Sequence, residues 1–482
     1  MADTYRHGVY VTEIPTSLIP MTQIATPTVV FGTAPVQMAS EPAETNKPVL
    51  CSSLGEFVSK FGWSDDFDKY TLCEAASAHF QLFNVAPVIF VNVLDVSKHV
   101  KQATATIEGV SDAAKIPAPI VLSTLKVTSG EGDDEVELKR DTDYTAEYNS
   151  YGSVVFTVVD TEKVVGDKVK LTYSEVDTSL VTTSDIIGGV NTVTGKNTGL
   201  ETVEEVYPRY GLIPGQLIAP KYSTNSAVAA MLKAKAQSIN GVFKAIAIAD
   251  LPTDTIRNYT GVNSVKNDLN FVDPFLVVTW PKVALGGVAY HMSTQVAALM
   301  CKVDGEHDNI PYKSPSNENL QADQTLLADG TDMFLGKAQA NYLNGQGIVT
   351  ALNFVGGWKC WGNRLSAFPS NTDAKDSFIP IRRMFNWVAN TLVTSFWSKI
   401  DEPIQKRLIE SVVDSANIWL NGLVARGALV GGRVEFLDTE NPATDLLDGV
   451  VRFHVYIAPP APAREISFVQ EMDVGYLSNL FE

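Results

Sequence analysis

Four short runs of this chain are apolar almost from end to end: "TVVFGTA" (28–34), "PVIFVNVLD" (87–95), "FKAIAIAD" (243–250) and "DPFLVVTW" (273–280). They lack the in-and-out alternation of a strand with one wet face. A strand that is apolar on both sides must be covered on both sides, which is the condition of a strand inside an α/β layer. Helical patterns stand between them, at "CEAASAHFQLF" (73–83) and "AVAAMLKAKAQSI" (227–239), and "LIPGQLIAP" (212–220) adds a further strand. The order strand, helix, strand predicts an α/β core with helices on both faces.

Two regions break this pattern. From Thr104 to Ser184 the chain is rich in Val, Thr and Tyr, with turn signals at Gly132-Asp133-Asp134, Asn149-Ser150 and Gly166-Asp167. That predicts a small all-β insert, and an insert needs its two ends close together, so it is expected to project from the surface. Past residue 375 two long helices are expected. Ile381, Met384, Phe385, Val388, Leu392 and Phe396 follow helical spacing in the first, and Leu408, Val412, Ala416, Trp419 and Leu423 in the second. Asp401 and Pro403 suit the start of the second helix, and Gly427 its end. "RVEFL" and the alternating "GVVRFHVYIAPP" follow as strands.

Each end of the chain carries a strand pattern set off by prolines. At the N-terminus, "HGVYVTEI" (7–14) puts Val9 and Val11 on one face and Tyr10 and Ile14 on the other, before Pro15 and Pro20. At the C-terminus, "REISFVQEMDV" (464–474), with Ile466, Phe468 and Val469, follows Pro459-Pro460-Ala461-Pro462. A lone strand leaves its N–H and C=O groups unpaired and must join a sheet, of its own chain or another. Two such tails raise polymerisation by strand addition.

With 482 residues, several domains are expected. We divide the chain into an N-terminal arm (1–24), an α/β core (25–103 and 185–345), the inserted β domain (104–184), a C-terminal α+β domain (346–460) and a C-terminal arm (461–482). Net charge is −18, which argues against nucleic acid and against a membrane surface as partners. The charge is uneven. Residues 104–184 hold 15 acidic and 7 basic side chains, whereas 376–435 hold 6 and 7. The longest apolar stretch, "VAPVIFVNVL" (85–94), is far too short to cross a bilayer. The polar opening "MADTYRHGVY" lacks the pattern of a secretory signal, so folding in a cytosol is expected. Cys51, Cys73, Cys301 and Cys360 form no C-x-x-C pair and read as buried thiols.

No motif for catalysis stands out. There is no phosphate-binding G-x-x-x-x-G-K-[ST], no G-x-G-x-x-G after a strand, no G-x-S-x-G elbow and no H-E-x-x-H. His307, in "DGEHDN", has acidic neighbours, but a solvated loop explains them without a metal. Neither a cofactor nor a metal is expected. Arg382-Arg383 suits a phosphate or an acidic protein partner, and we favour the partner. "KCWGNRLS" (359–366) is dense in aromatic and polar groups, yet it holds no base or nucleophile. We read Trp361, Gly362, Asn363 and Arg364 as a structural turn.

These segments together resemble a known family. "HGVYVTEI" is similar to the opening arm of the tail sheath proteins of contractile bacteriophages, in the branch shared with R-type bacteriocins. "IIGGVNTVTGKNTGLETV" (186–203), with Gly188, Gly189, Thr198, Gly199 and Leu200, resembles the family's segment before "LIAP". "YKSPSNENL" (312–320) is similar to its "SPSN" loop, and "LNGQGIVTALNFVGGWKCWGNRL" (343–365) to its Trp-Gly-Asn-Arg series. Leu365 stands where the family often has Thr.

The resemblance implies a non-enzymatic structural subunit that forms six-fold rings stacked helically around a tail tube. It implies arms that add strands to neighbouring C-terminal domains, and contraction that drives the tube through a cell envelope. Tube, baseplate and terminator proteins would be its partners and the virion tail its place, after assembly in the host cytoplasm. Arg382, Arg383, Lys406 and Arg407 would then be candidates to face the tube. A genome-free bacteriocin or injection particle would use the same subunit. An α/β enzyme with an accessory β domain would need a nucleophile or phosphate motif, and a secreted adhesin an export signal.

Overall fold

The computed structural model describes residues 26–109, 114–116, 119–130, 135–149 and 153–474, with Met21 and Tyr476. The N-terminal candidates Val9, Tyr10, Val11 and Ile14 lie outside the described residues. The chain begins with β1 (Thr28–Gly32), β2 (Val49–Cys51) and β3 (Val88–Asn92). It then leaves along β4 (Val100–Glu108) and returns along β5 (Lys168–Val176). Strands β6 (Gln216–Ile218), β7 (Ile246–Asp250), β8 (Leu276–Thr279), β9 (Ile348–Asn353) and β10 (Trp358–Trp361) follow. One eight-stranded sheet takes the order β2-β3-β1-β6-β7-β8-β9-β10. Its inner strands run parallel, and β2 and β10 close the two edges antiparallel.

Every apolar run is a strand of this sheet, and both faces are covered. Val29 and Phe31 of β1 point into one core while Val30 points into the other. Ala247 and Ala249 of β7 likewise oppose Ile246 and Ile248. Helix α1 (Leu54–Phe61) and α2 (Thr71–Ala76) cover one face with Phe57, Phe61 and Leu72. Helix α3 (Ser226–Gln237) and α4 (Tyr259–Asp268) cover the other with Val228, Leu232 and Val262. Ser53 starts α1 by accepting the Glu56 N–H at 3.2 Å, and Asn225 starts α3 by accepting from Ala227 at 2.9 Å. Helix α5 (Met292–Gly305) packs Val296, Leu299 and Val303 beside α1 and α2. Fully burying each such aliphatic or aromatic side chain contributes about 1.5–3 kcal/mol.

The sheet runs past the core boundary drawn at residue 345. Strand β9 pairs with β8 through Val278–Ile348 and Thr279–Val349, and β10 folds back on β9. Helix α6 (Lys337–Gly345) leads into them. The C-terminal unit starts instead near α7 (Ile379–Phe396), followed by α8 (Lys406–Ala425) and a ribbon of β11 (Gly431–Glu435) and β12 (His454–Ala458). Its separate core joins Met384, Trp387 and Val388 of α7 to Ala416, Leu420 and Leu423 of α8 and Val434 of β11. Residues 401–405 are loop, so α8 begins after Pro403 and not at it.

The insert is a β domain with its own core, built around Ile120, Val127, Phe156, Leu171 and Tyr173. Strands β4 and β5 pair along their full length, from Glu108–Lys168 to Val100–Val176. The chain therefore leaves and re-enters the core at adjacent positions. Of the insert's described residues, Val121, Val176 and Val181 join the main core cluster, the last two at its foot, and Val121 alone of them lies within 101–175. Replacing residues 101–175 by an Asn-Gly turn should give a soluble, folded chain less stable by about 2 kcal/mol, the loss of one buried Val. Urea unfolding measures this. An insoluble product would show that the insert is part of the folding unit.

Candidate functional site

In an open α/β sheet, ligands bind where the strand order reverses, beyond the carboxyl ends of the strands. Here that place lies between β1 and β6. It is filled by the chain's own residues 68–71. Thr71 Oγ1 would lie 2.1 Å from a Cβ added at Gly32, and Thr33 Oγ1 donates to the Lys69 carbonyl at 2.6 Å. From the β6 side, Lys221 Nζ donates to the Asp68 carbonyl at 2.8 Å. The crevice is packed shut at the position a substrate would need.

The titratable groups nearby are tied to structural partners. His291 Nδ1 lies 2.7 Å from the buried Glu74 carboxylate, which also accepts the His291 N–H at 2.6 Å. Asp250 accepts from Thr279 Oγ1 at 2.8 Å and from the Ser293 N–H at 2.9 Å. Burial pushes His79 down to about 4, so it sits neutral between the Ala75 carbonyl and Thr28 Oγ1. His307 Nδ1 is 2.7 Å from the Val303 carbonyl, which makes it a helix-end partner. Among the described residues, no three His, Cys, Asp or Glu side chains are grouped to hold a metal ion. All four cysteines are free, and burial pushes the Cys360 thiol up to about 12, which leaves it protonated and unreactive at neutral pH.

"KCWGNRLS" and "SPSN" turn out to be two halves of one clasp. The Cys360 carbonyl accepts the Asn317 N–H at 2.6 Å, and Cys360 N–H donates to the Glu318 carbonyl at 2.9 Å. Gly362 N–H donates to Ser316 Oγ at 3.0 Å, and Leu320 N–H to the Trp358 carbonyl at 3.0 Å. The loop thus covers the outer edge of β10. Gly362 has φ +145°, and a Cβ there would come within 2.9 Å of the Val349 Cα, so the position requires glycine. Trp361 Nε1 donates to Asn341 Oδ1 at 2.9 Å. The Asn363 carbonyl accepts the Ile379 N–H at 3.0 Å and so holds the start of α7. The Arg364 guanidinium sits 3.6 Å from the Phe378 ring and 4.3 Å from that of Phe368, and donates to Ser377 Oγ at 2.7 Å. Leu365 is fully buried, a place for an aliphatic side chain. Lys266 reinforces the segment by donating to the Gln346 carbonyl at 2.5 Å and the Phe368 carbonyl at 3.0 Å, and burial lowers it to about 8. These groups fix α7 to the sheet and leave no free nucleophile.

The four cations considered for a partner surface divide in two. Arg383 is 5% exposed and grips Asp304 with both nitrogens, one at 3.0 Å. Arg382 is nearly as buried, pairs with Asp376 and lies over the Phe275 ring at 4.7 Å. Both arginines face inward, which departs from the expectation of a tube-facing position. The face of α7 that carries Arg383 also carries Asn386 and Asn390, which bond the Ala245 carbonyl and both main-chain groups of Lys244. Lys406 and Arg407 are exposed at the start of α8. Lys406 Nζ lies 3.5 Å from the Glu410 carboxylate.

Among the described residues, 459–474 form no strand within the chain, although the sequence pattern predicted one. Ile466, Phe468 and Val469 are 72%, 87% and 94% exposed. The β11–β12 ribbon packs one face on α8 and, among the described residues, pairs with no other strand. The outer edge of β11 is met at Val434 by the Asn417 side chain, which bonds its carbonyl at 2.9 Å and its N–H at 2.8 Å. A ribbon whose β12 edge meets no further strand among the described residues and an unpaired apolar strand pattern within one chain are complementary needs.

No family model matches this chain. The tail sheath protein of Burkholderia phage BcepMu is 27% identical over 498 residues, spanning 100% of this chain and 99% of that protein. The tail sheath protein of Escherichia phage P2 is 23% identical over 419 residues, 85% of this chain and 91% of that protein. The chain is a relative of the phage tail sheath proteins. The fold agrees. The sheath of an extracellular contractile injection system, PVC, in its contracted state, superposes with a TM-score of 0.58 at 15% identity, over 99% of this chain and 100% of that one.

Proposed function

We propose that this chain is the structural subunit of a contractile tail sheath. Copies polymerise as stacked six-fold rings around a tail tube, and the polymer shortens to drive the tube through a cell envelope. The observation that carries this is the end-to-end match to a phage sheath protein. The ribbon, which meets no further strand among the described residues, and the exposed C-terminal strand pattern support linkage by strand exchange. Ile466, Phe468 and Val469 of one arm, and Val9, Tyr10, Val11 and Ile14 of the other, would add strands to neighbours' C-terminal domains. Lys406 and Arg407 remain the cations available to the tube. The insert would decorate the outside. No catalytic step is needed, because contraction is a shift between two arrangements of the same subunits.

The full-length relatives are phage proteins, which favours a virion tail. The likeness to an injection-system sheath keeps a genome-free particle as the second reading. Negative-stain electron microscopy of the purified chain expressed alone tests the proposal. Long, hollow, striated tubes are expected. Small closed oligomers with a hydrolytic activity would overturn it.

A further inference from the structure

Two features at opposite ends of the core sheet have no role among the described residues. The first is the tip of the β9–β10 hairpin, beyond the carboxyl end of β9. Phe354 and Val355 are 64% and 73% exposed there, and Phe334, also exposed, stands near the start of α6. Paired strands hold this tip, and Gly356 and Gly357 turn it, each at positive φ. Large apolar groups on a rigid projection mark a contact surface more often than chance exposure does. Lys337 Nζ lies 5.5 Å from the centre of the Phe354 ring.

The second feature is a cavity of about 420 Å³ at the amino ends of β1 and β3. Its apolar walls include Pro27, Phe83, Val85 and Pro87, and Glu306 and Lys302 stand at its mouth. Helix α5 ends here at Gly305, so its negative dipole end adds to the charge of Glu306. The volume lies in the ~300–1,000 Å³ range of cavities that enclose small ligands.

We propose that the hairpin tip of one copy seats in this cavity of the next, with Phe354 and Val355 inside and Lys337 against Glu306. The occupant is a second copy of this chain, a choice that rests on the sheath reading. The two surfaces lie at opposite ends of the same sheet and toward opposite edges of it. The contact is therefore head-to-tail and displaced sideways. Repetition of such a contact generates a helix instead of a closed pair, as a stacked-ring polymer requires. It is separate from the arms, which engage the C-terminal ribbon, so a copy could keep its arm links while this contact breaks and re-forms.

Phe354→Glu is the test, because the side chain is exposed and the fold does not depend on it. With wild type forming tubes in parallel, the variant should keep its urea midpoint and lose at least tenfold of its pelletable tubes. Lys337→Glu and Glu306→Lys should each weaken assembly, and the pair combined should recover most of it. In tubes carrying Val355→Cys and Asn309→Cys, oxidation should produce chains linked through those two positions. Full tube yield from Phe354→Glu, or no such link in intact tubes, would overturn the contact and leave the sheath reading standing. A wild-type chain that builds no polymer under any condition would remove both.

Discussion

A chain that ends at Pro460 should fold normally and fail to build tubes. Residues 461–474 contribute nothing to the four apolar clusters, whose last member is Ile457. Their removal should change the unfolding free energy by no more than about 0.5 kcal/mol, as for surface changes away from structural features. Assembly should respond very differently. If Phe468 and one of its apolar neighbours are buried at each junction, they contribute about 1.5–3 kcal/mol apiece. Each new ladder hydrogen bond adds about 0.5–1.5 kcal/mol. Even three bonds and two side chains put roughly 5 kcal/mol into every link, more than a thousandfold in each association step. Deletion of residues 1–20 should act in the same way on assembly. Sedimentation and electron microscopy of both truncated chains read the effect. Tubes of ordinary length from the chain ended at Pro460 would rule out the C-terminal arm as a link.

The parts of this fold that were legible in the sequence are those set by local pattern. The unbroken apolar runs became β1, β3, β7 and β8 because burial on two faces leaves no room for alternation. The insert announced itself through turns and β-branched residues, and the long helices through their spacing. The parts that were not legible depend on partners distant in sequence. Arg383 looked like a surface charge because Asp304 lies 79 residues away, and nothing near the arginine reveals it. Strands β9 and β10 fell within the segment assigned to the C-terminal domain, whereas their place is decided by pairing with β8. "KCWGNRLS" was read as a structural turn, and "SPSN" as a loop on its own. Their mutual hydrogen bonds join two backbones about forty residues apart, which no spacing rule predicts. The plug at 68–71 escaped notice because it closes a crevice that only the strand order defines.

The inward turn of Arg383 leads to the second large effect, on stability. Its guanidinium and the Asp304 carboxylate are each about nineteen-twentieths buried, so neither charge has much water to fall back on. Taking both ions out of water costs several kcal/mol apiece, and only their mutual pairing offsets it. Arg383→Met removes one partner and strands the other, which should destabilise the chain by about 3–5 kcal/mol. Asp304→Leu with Arg383→Met removes both charges and should regain most of that loss, because apolar side chains suit the site without a desolvation cost. Urea unfolding of the two variants at neutral pH separates the cases. A single variant within about 1 kcal/mol of wild type would mean that water reaches Asp304 and that the pair is not sealed. The comparison bears on function because this pair pins α5 of the core to α7 of the C-terminal unit. The apolar side of α7 belongs mainly to its own cluster with α8, so its attachment to the sheet runs through this ion pair, the amides of Asn386 and Asn390, the clasp at Asn363 and Arg364, and Ile379, which joins the core cluster. A bidentate pair with fixed geometry transmits a push from one unit to the other. An apolar replacement that restores stability but allows the units to shift would yield a stable subunit whose tubes shorten less completely.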